Sequence, residues 1–230
     1  DLPCQLLAKE YLKDVIQNIP EKTSWFGLKK KKVYPHIYVT GHSKGGNLAM
    51  YAYLKNEAIQ EHITNVYSFD APGFVNGFWN GFDDISKIKN FIPKESIIGR
   101  VLQHQEQTLV LDATNNGLSQ HDTFMWSVDV NDFNYVEKLN GNSDKVLEYM
   151  NQLLLKRDIE ERKRYCILIG EMFDRMDIYT ISDLSDVSFR QALSGIKEIR
   201  QLNSEEIKFM LEVVKFIAQQ SGPILMKGRK

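Results

Sequence analysis

A serine between two glycines stands in the stretch HIYVTGHSKGGNLAMYAYL, residues 36–54 of this 230-residue chain. A run rich in β-branched residues ends at Gly41, Ser43 follows, and a small-residue helix pattern begins directly after it. This spacing is typical of a nucleophile elbow, whose sharp turn lifts the serine oxygen above a sheet. We therefore predict that Ser43 is a nucleophile. The alternative, a serine that caps the helix, explains Ser43 but not the glycines at 41 and 45.

A serine nucleophile needs a base, and the base needs an orienting acid. In nucleophile-elbow enzymes the order along the chain is serine, acid, histidine, each on a loop after a strand. His121 fits this order, because it follows the strand pattern TLVLDA and a polar loop. His104 is the alternative base, but it lies between two extended segments. The other three histidines do not suit the role of base, because they precede the serine, adjoin it or lie at the end of the next helix: His36, His42 and His62.

Two carboxylates compete for the orienting role. Asp70 ends a strand in YSFDAPGF, and Glu95 follows the next strand in NFIPKES. We favour Asp70, because an apolar strand before it and Pro72 after it are typical of a fixed, half-buried side chain. Glu95 lies between two polar neighbours and has more rotamer entropy to lose, so we expect it to be exposed.

The residues around Ser43 and Asp70 suggest how a substrate would be held. The backbone N–H of Lys44 would donate to the oxyanion of the transition state. The aromatic segment GFVNGFWNGF (73–82) follows Asp70, and we expect part of it to line an apolar acyl pocket. The predicted substrate-binding residues are His42, Phe74 and Trp79. The alternative for this segment is that its aromatic side chains belong to the core.

Composition narrows the class of protein. A hydrophobic content of 43% supports a sizeable core, and 29 basic against 30 acidic residues give no bias toward nucleic acid. No apolar run approaches the roughly 18 residues of a membrane span. Two cysteines do not form a disulfide framework, which favours a cytoplasmic location, although an upstream targeting segment stays open. The pattern implies neither a metal nor an organic cofactor.

A mostly parallel α/β sheet with helices on both faces would position these residues. We predict an opening helix that ends at Pro20, a polar link with a solvated basic run at 29–32, and a helix after Ser43. The strand after the link is apolar without alternation, as expected of a strand covered on both faces. The predicted strands cover residues 36–40, 64–70, 87–92 and 108–113.

The pattern changes to helices alone in the last third of the chain. We therefore predict two domains, an α/β-hydrolase core over 1–141 and a helical extension over 142–230. Within the extension, Asn203 and Glu206 have the spacing of a capping box at the start of the last helix.

Four blocks of the sequence, VTGHSKGGNLAMYAYL, VYSFDAPGF, NFIPKESIIGRVL and HDTFMWSV, resemble a bacterial family of poorly characterised, lipase-like α/β-hydrolases. The segment LEYMNQLLLKRDIEERKRY is similar to that family's C-terminal part, so the resemblance spans nearly the whole chain. It implies that Ser43 is the nucleophile, Asp70 the strand-end acid and His121 the base. SFDAPGF is also similar to the acid-bearing stretch of pancreatic-type lipases, whereas NFIPKES stands where fungal-type lipases carry theirs.

The resemblance also implies strands upstream of the first helix, with an Arg-Gly-Thr-Asp-like turn that gives the second oxyanion donor. No such turn precedes Asp1. We therefore expect a fragment without its N-terminal strands, with half of the oxyanion hole absent and an exposed sheet edge through which it could self-associate.

These observations predict a serine hydrolase that cleaves a carboxylic ester with an acyl or lipid-like substrate. The alternative is a non-catalytic α/β-hydrolase scaffold that binds a protein partner through its helical C-terminal part, where residues 156–164 offer a charged helix.

Overall fold

The computed structural model describes residues 1–23, 30–32, 34–82, 84–114, 116–141, 144–180, 183, 189–198 and 202–221. The chain divides into two compact units, Asp1–Thr114 with Gln120–Gly141 and Asn115–Ser119 with Asn142–Lys230. Among the described residues, no helix is long and apolar enough to cross a membrane.

In the first unit, the described residues form two α-helices and two sheets. Helix α1 spans Pro3–Gln17 and α2 spans Lys44–Leu54. Strands β1 (Glu21–Thr23) and β2 (Lys30–Lys32) pair antiparallel, so part of the predicted polar link forms two short strands. The main sheet consists of β3 (Ile37–His42), β4 (Ile63–Phe69), β5 (Ile88–Pro93) and β6 (Gln107–Leu111).

All neighbouring strands of the main sheet are parallel, in the order β3-β4-β5-β6. The predicted parallel α/β architecture is thereby confirmed, with strand bounds within three residues of the expected ones. The sequence pattern also indicates helices that alternate with the strands, and the structure shows this only for the first connection. Helix α2 connects β3 to β4, but the described residues of the next two connections form only loops and the short 3₁₀ turn Ile98–Arg100.

The two faces of the main sheet are covered unequally. Val66 and Ile88 are 0% exposed on the face that packs with the side chains of α2. On β3, by contrast, burial alternates along the strand, and the Tyr38 side chain is exposed. The prediction that the first strand is covered on both faces is therefore wrong. β3 lies at the edge of the sheet, and every second side chain faces outward. The apolar character of its residues therefore does not mean that they are all buried.

Helix α1 buries only part of its apolar pattern. Leu12 and Ile16 join the core, whereas Leu7 and Tyr11 are more than two-thirds exposed. The spacing of apolar residues indicates one apolar stripe on α1, but the structure divides it into a buried row and an exposed row. Gln5 fixes the helix, because its side-chain amide donates to Asn47 Oδ1 in α2 at 3.0 Å.

From Asp144 onward, the regular elements among the described residues of the second unit are all helices. Its core brings together side chains from α4 and the helices that follow it, with Leu168, Met172 and Met210 all fully buried. The helices are α3 (Asp144–Lys156), α4 (Ile159–Arg175), α5 (Phe189–Glu198) and α6 (Ser204–Ser221).

The predicted capping box at the start of α6 is confirmed. Glu206 N–H donates to Asn203 Oδ1, and Asn203 N–H donates to Glu206 Oε2, both at 2.9 Å. Arg164 Nε donates to the other Glu206 oxygen at 2.8 Å. The hydrogen bond from Arg164, and then that from Asn203, lower the pKa of Glu206. The stabilisation from this carboxylate is therefore present above the pKa of an unfolded glutamate and is lost as the pH falls through the folded value.

We expect Asn203→Ala to lower the free energy of unfolding of the helical unit by about 1 kcal/mol, because the first turn of α6 loses an N-cap acceptor. Asn203→Asp keeps that acceptor and is the matched control, with a change of a few tenths of a kcal/mol at most. Urea denaturation followed by circular dichroism measures both. Equal losses in the two variants would contradict the capping role.

Candidate active site

Ser43 stands at the sharp turn between β3 and α2. Its backbone has φ 53° and ψ −126°, a conformation that non-glycine residues rarely adopt. Its N–H donates to Phe69 O at 2.8 Å, which ties the turn to the end of β4. The side chain forms no capping hydrogen bond with α2. The hydroxyl is therefore not used as an N-cap, and the strained turn is what a nucleophile elbow requires.

The glycines around Ser43 differ in what they do. A Cβ at Gly41 would overlap the backbone of Gly45, and one at Gly46 would overlap Ala71 Cβ and Gly41 O. A Cβ at Gly45 would meet nothing. The sequence suggests that glycine at 41 and 45 relieves strain and crowding in the turn and that Gly46 keeps the helix close to the strand. For Gly45 this prediction is wrong, whereas for Gly41 and Gly46 it is confirmed. The close approach of α2 to β3 depends on Gly41 and Gly46.

Asp70 and His121 form a buried hydrogen-bonded pair. His121 Nδ1 donates to Asp70 Oδ2 at 2.6 Å, and the side chains are 10% and 1% exposed. The register pairs His42 with Phe69, so the residues that follow them, Ser43 and Asp70, leave adjacent strands at the same edge of the sheet. Because Asp70 accepts from Nδ1, the Nε2 atom of neutral His121 carries the free lone pair that a general base needs.

His42 lies against the imidazole of His121. Its Nε2 donates to His121 O at 2.8 Å, and the two ring centroids are 4.5 Å apart. In the structure, His42, which the sequence predicts to bind substrate, thus supports the backbone of His121. Between Ser43 and His121 themselves, both within the described residues, no hydrogen bond forms. Catalytic hydrogen bonds are often long in a free enzyme and shorten only in its substrate complex.

The alternative acid, Glu95, is buried with 5% exposure, so the prediction that it is exposed is wrong. Its Oε1 accepts from Asn140 Nδ2 at 2.7 Å, and Asn140 N–H donates to Lys94 O at the same distance. The chain around Asn140 thus returns to the end of β5 and covers Glu95. The carboxylate that accepts from His121 is that of Asp70.

The alternative base, His104, has a carboxylate partner of its own. Its Nδ1 contacts Glu106 Oε1 at 2.6 Å, and the Glu106 side chain is fully buried. The Nε2 atom of His104 contacts Val101 O at 3.3 Å. Both ring nitrogens thus face acceptors within the loop between β5 and β6, and the structure joins His121 rather than His104 to Asp70.

The aromatic segment after Asp70 is packed. Phe74 and Trp79 are 4% and 2% exposed and belong to the core that includes α2. Trp79 Nε1 donates to Gln103 O at 2.9 Å, and the rings of Phe74 and Phe78 stack with centroids 3.8 Å apart. These two predicted substrate-binding side chains therefore lie in the core, the alternative that the sequence left open.

Lys44 is the first residue of α2. An N–H in the first turn of a helix has no acceptor within the helix and lies at the positive end of the helix dipole. The position of Lys44, next to Ser43, is therefore the one that an oxyanion donor requires.

A parallel sheet with flanking helices defines an α/β protein. Its strained Ser43 and the Asp70 that pairs with His121 directly follow neighbouring strands. The profile of the Mbeg1-like family matches residues 1–173, and the chain belongs to this family. No curated protein matches the chain, and neither does any solved structure.

We expect Gly46→Ala to lower the free energy of unfolding by about 1–3 kcal/mol, because the added methyl group overpacks the contact between α2 and β3. Gly45→Ala is the matched control. It meets open space within a helix, where alanine is favoured over glycine by up to about 1 kcal/mol. Urea denaturation compares the two. A loss for Gly45→Ala as large as for Gly46→Ala would contradict the steric account.

Proposed function

We propose that this chain is a serine hydrolase that cleaves carboxylic esters with an acyl or lipid-like group. The observation that carries the proposal is the buried hydrogen bond from His121 to Asp70, next to the strained turn at Ser43. The order serine, acid, histidine along the chain and the sheet edge on which they lie also match an α/β-hydrolase. The resemblance of four sequence blocks to lipase-like hydrolases supports the ester class of substrate.

The proposed reaction has two steps. Ser43 Oγ attacks the ester carbonyl while its proton passes to His121 Nε2, and the Lys44 N–H donates to the oxyanion that forms. When the tetrahedral intermediate collapses, the bond to the alcohol breaks and His121 returns the proton to the leaving oxygen. Water, activated by the same histidine, then releases the acid from the acyl-serine. Asp70 orients His121 and stabilises its positive charge in both steps.

The proposed reaction also needs a second oxyanion donor. Transition-state charge needs preorganised donors, and Lys44 supplies one of them. We propose that the second donor comes from a segment that lies beside β3, the edge strand with an outward-facing row. The uncharged side chains of β3, IYVTGH, leave that edge open to a further strand or to a second copy of the chain.

We expect a fluorophosphonate probe to label Ser43 and no other serine. Ser43→Ala should abolish labelling and lower turnover by a factor on the order of 10⁶. Intact-mass spectrometry measures labelling, and Ser127→Ala, which removes a hydroxyl that contacts Asn134, is the control that should label normally. A folded wild-type protein that takes up no label would instead favour a non-catalytic scaffold.

Asp70→Asn should lower turnover of a short-chain ester by a factor on the order of 10⁴, as loss of the orienting acid does in serine proteases. Glu95→Gln, the matched control, should cost less than tenfold, because its carboxylate bonds to Asn140. Circular dichroism checks that both variants are folded. A large loss for Glu95→Gln with a small one for Asp70→Asn would assign the orienting role to Glu95.

A further inference from the structure

The second oxygen of Asp70 has hydrogen-bond donors of its own. Ser96 Oγ donates to Asp70 Oδ1 at 2.5 Å, and Gly99 N–H donates to the same oxygen at 3.0 Å. The Gly99 N–H also lies 3.1 Å from Ser96 Oγ. Asp70 and Ser96 are both 1% exposed, so bulk water does not compete for these bonds.

We propose that Ser96 and Gly99 form a carboxylate clamp that positions Asp70 for the reaction, an inference that rests on the proposed hydrolase function. Ser96 acts through Asp70 and His121 and is a positioning residue. The loop after β5, which the sequence suggested as the source of a competing acid, contributes instead the donors that hold the acid of β4.

The hydrogen-bond chemistry fixes the direction of each proton. A serine hydroxyl has one proton and two lone pairs, and an ionised carboxylate can only accept. The Ser96 proton therefore points to Asp70 Oδ1. The Gly99 N–H lies within hydrogen-bond distance of both Asp70 Oδ1 and Ser96 Oγ. Asp70 Oδ2 accepts from His121 Nδ1. With donors on both oxygens, the carboxylate plane cannot rotate freely, and the imidazole that it holds is aimed in one direction.

The backbone conformation of Asp70 and its close neighbours also support the clamp. Asp70 has φ 45°, a positive value that is uncommon for residues other than glycine, and the contacts of the clamp help to hold it. Gly99 lies so close that a Cβ there would overlap Asp70 Oδ1 and Ile92 Cγ2. Ser96 is itself fixed, because its N–H donates to Pro93 O at 2.9 Å in the turn after β5.

The test measures ester turnover by wild type, Ser96→Ala and Ser96→Thr, with Ser127→Ala as the hydroxyl-deletion control away from Asp70. We expect Ser96→Ala to lower kcat by a factor on the order of 10 to 100, because the imidazole is no longer held in the productive geometry. KM should stay within about twofold, since Ser96 contacts Asp70 and not the substrate. Ser96→Thr keeps the hydroxyl and should recover most of kcat. A Ser96→Ala enzyme with wild-type kcat overturns the clamp.

A spectroscopic measurement decides the same question without activity. A proton between His121 Nδ1 and Asp70 Oδ2 should give a low-field ¹H resonance that Asp70→Asn removes. We expect Ser96→Ala to shift or broaden that resonance and Ser127→Ala to leave it unchanged. If wild type does not hydrolyse esters, the proposed function fails, while this resonance still tests the clamp. If Ser96→Ala does not fold, Ser96→Cys weakens the donor at similar size, and an unchanged resonance there overturns the inference.

Discussion

The buried hydrogen bond between Asp70 and His121 is the interaction on which the site depends. A carboxylate that is 1% exposed loses its hydration, and the loss is tolerated only if protein donors replace the water. His121, Ser96 and Gly99 are those donors, and they come from the chain after β5 and the chain after β6. The carboxylate of Asp70, which directly follows β4, thus connects to the chain after β5 and to the chain after β6.

The parallel register brings Ser43 to the same place. Because His42 pairs with Phe69, the turn that holds Ser43 and the carboxylate of Asp70 emerge side by side, and Ser43 N–H bonds to Phe69 O. Asn47, three residues into α2, donates to the carbonyl oxygens of Pro72 and Gly73 and so connects α2 to the loop after Asp70. Ser43 and Asp70 both have positive φ, and strain of this kind persists where surrounding contacts over-determine the backbone.

The sequence predicts those features that local pattern decides. The four strands, the sharp turn at Ser43 and the capping box of α6 follow from residue types and short spacings. The choice of Asp70 and His121 follows from the order of residues along the chain, and the structure pairs these two side chains. The burial of Glu95 depends on Asn140, 45 residues away, which local polarity cannot reveal. The clamp depends on a serine 26 residues from its carboxylate. The exposure of β3 cannot be predicted from its residues, because the position of a strand at the edge is a property of the whole sheet. The role of Gly45 is wrong because the close contact between α2 and β3 falls one residue later, at Gly46.

The central claim is that Asp70 and His121 activate Ser43. The most direct measurement is the second-order rate constant for modification of Ser43 by a fluorophosphonate, compared between wild type and folded His121→Ala, with the modified residue located by peptide mass spectrometry. The account predicts that the wild-type rate exceeds that of the variant by a factor on the order of 10³ or more, because the hydroxyl reacts only when a base removes its proton. Equal rates in the two proteins would contradict it, since Ser43 would then react without help from the Asp-His pair.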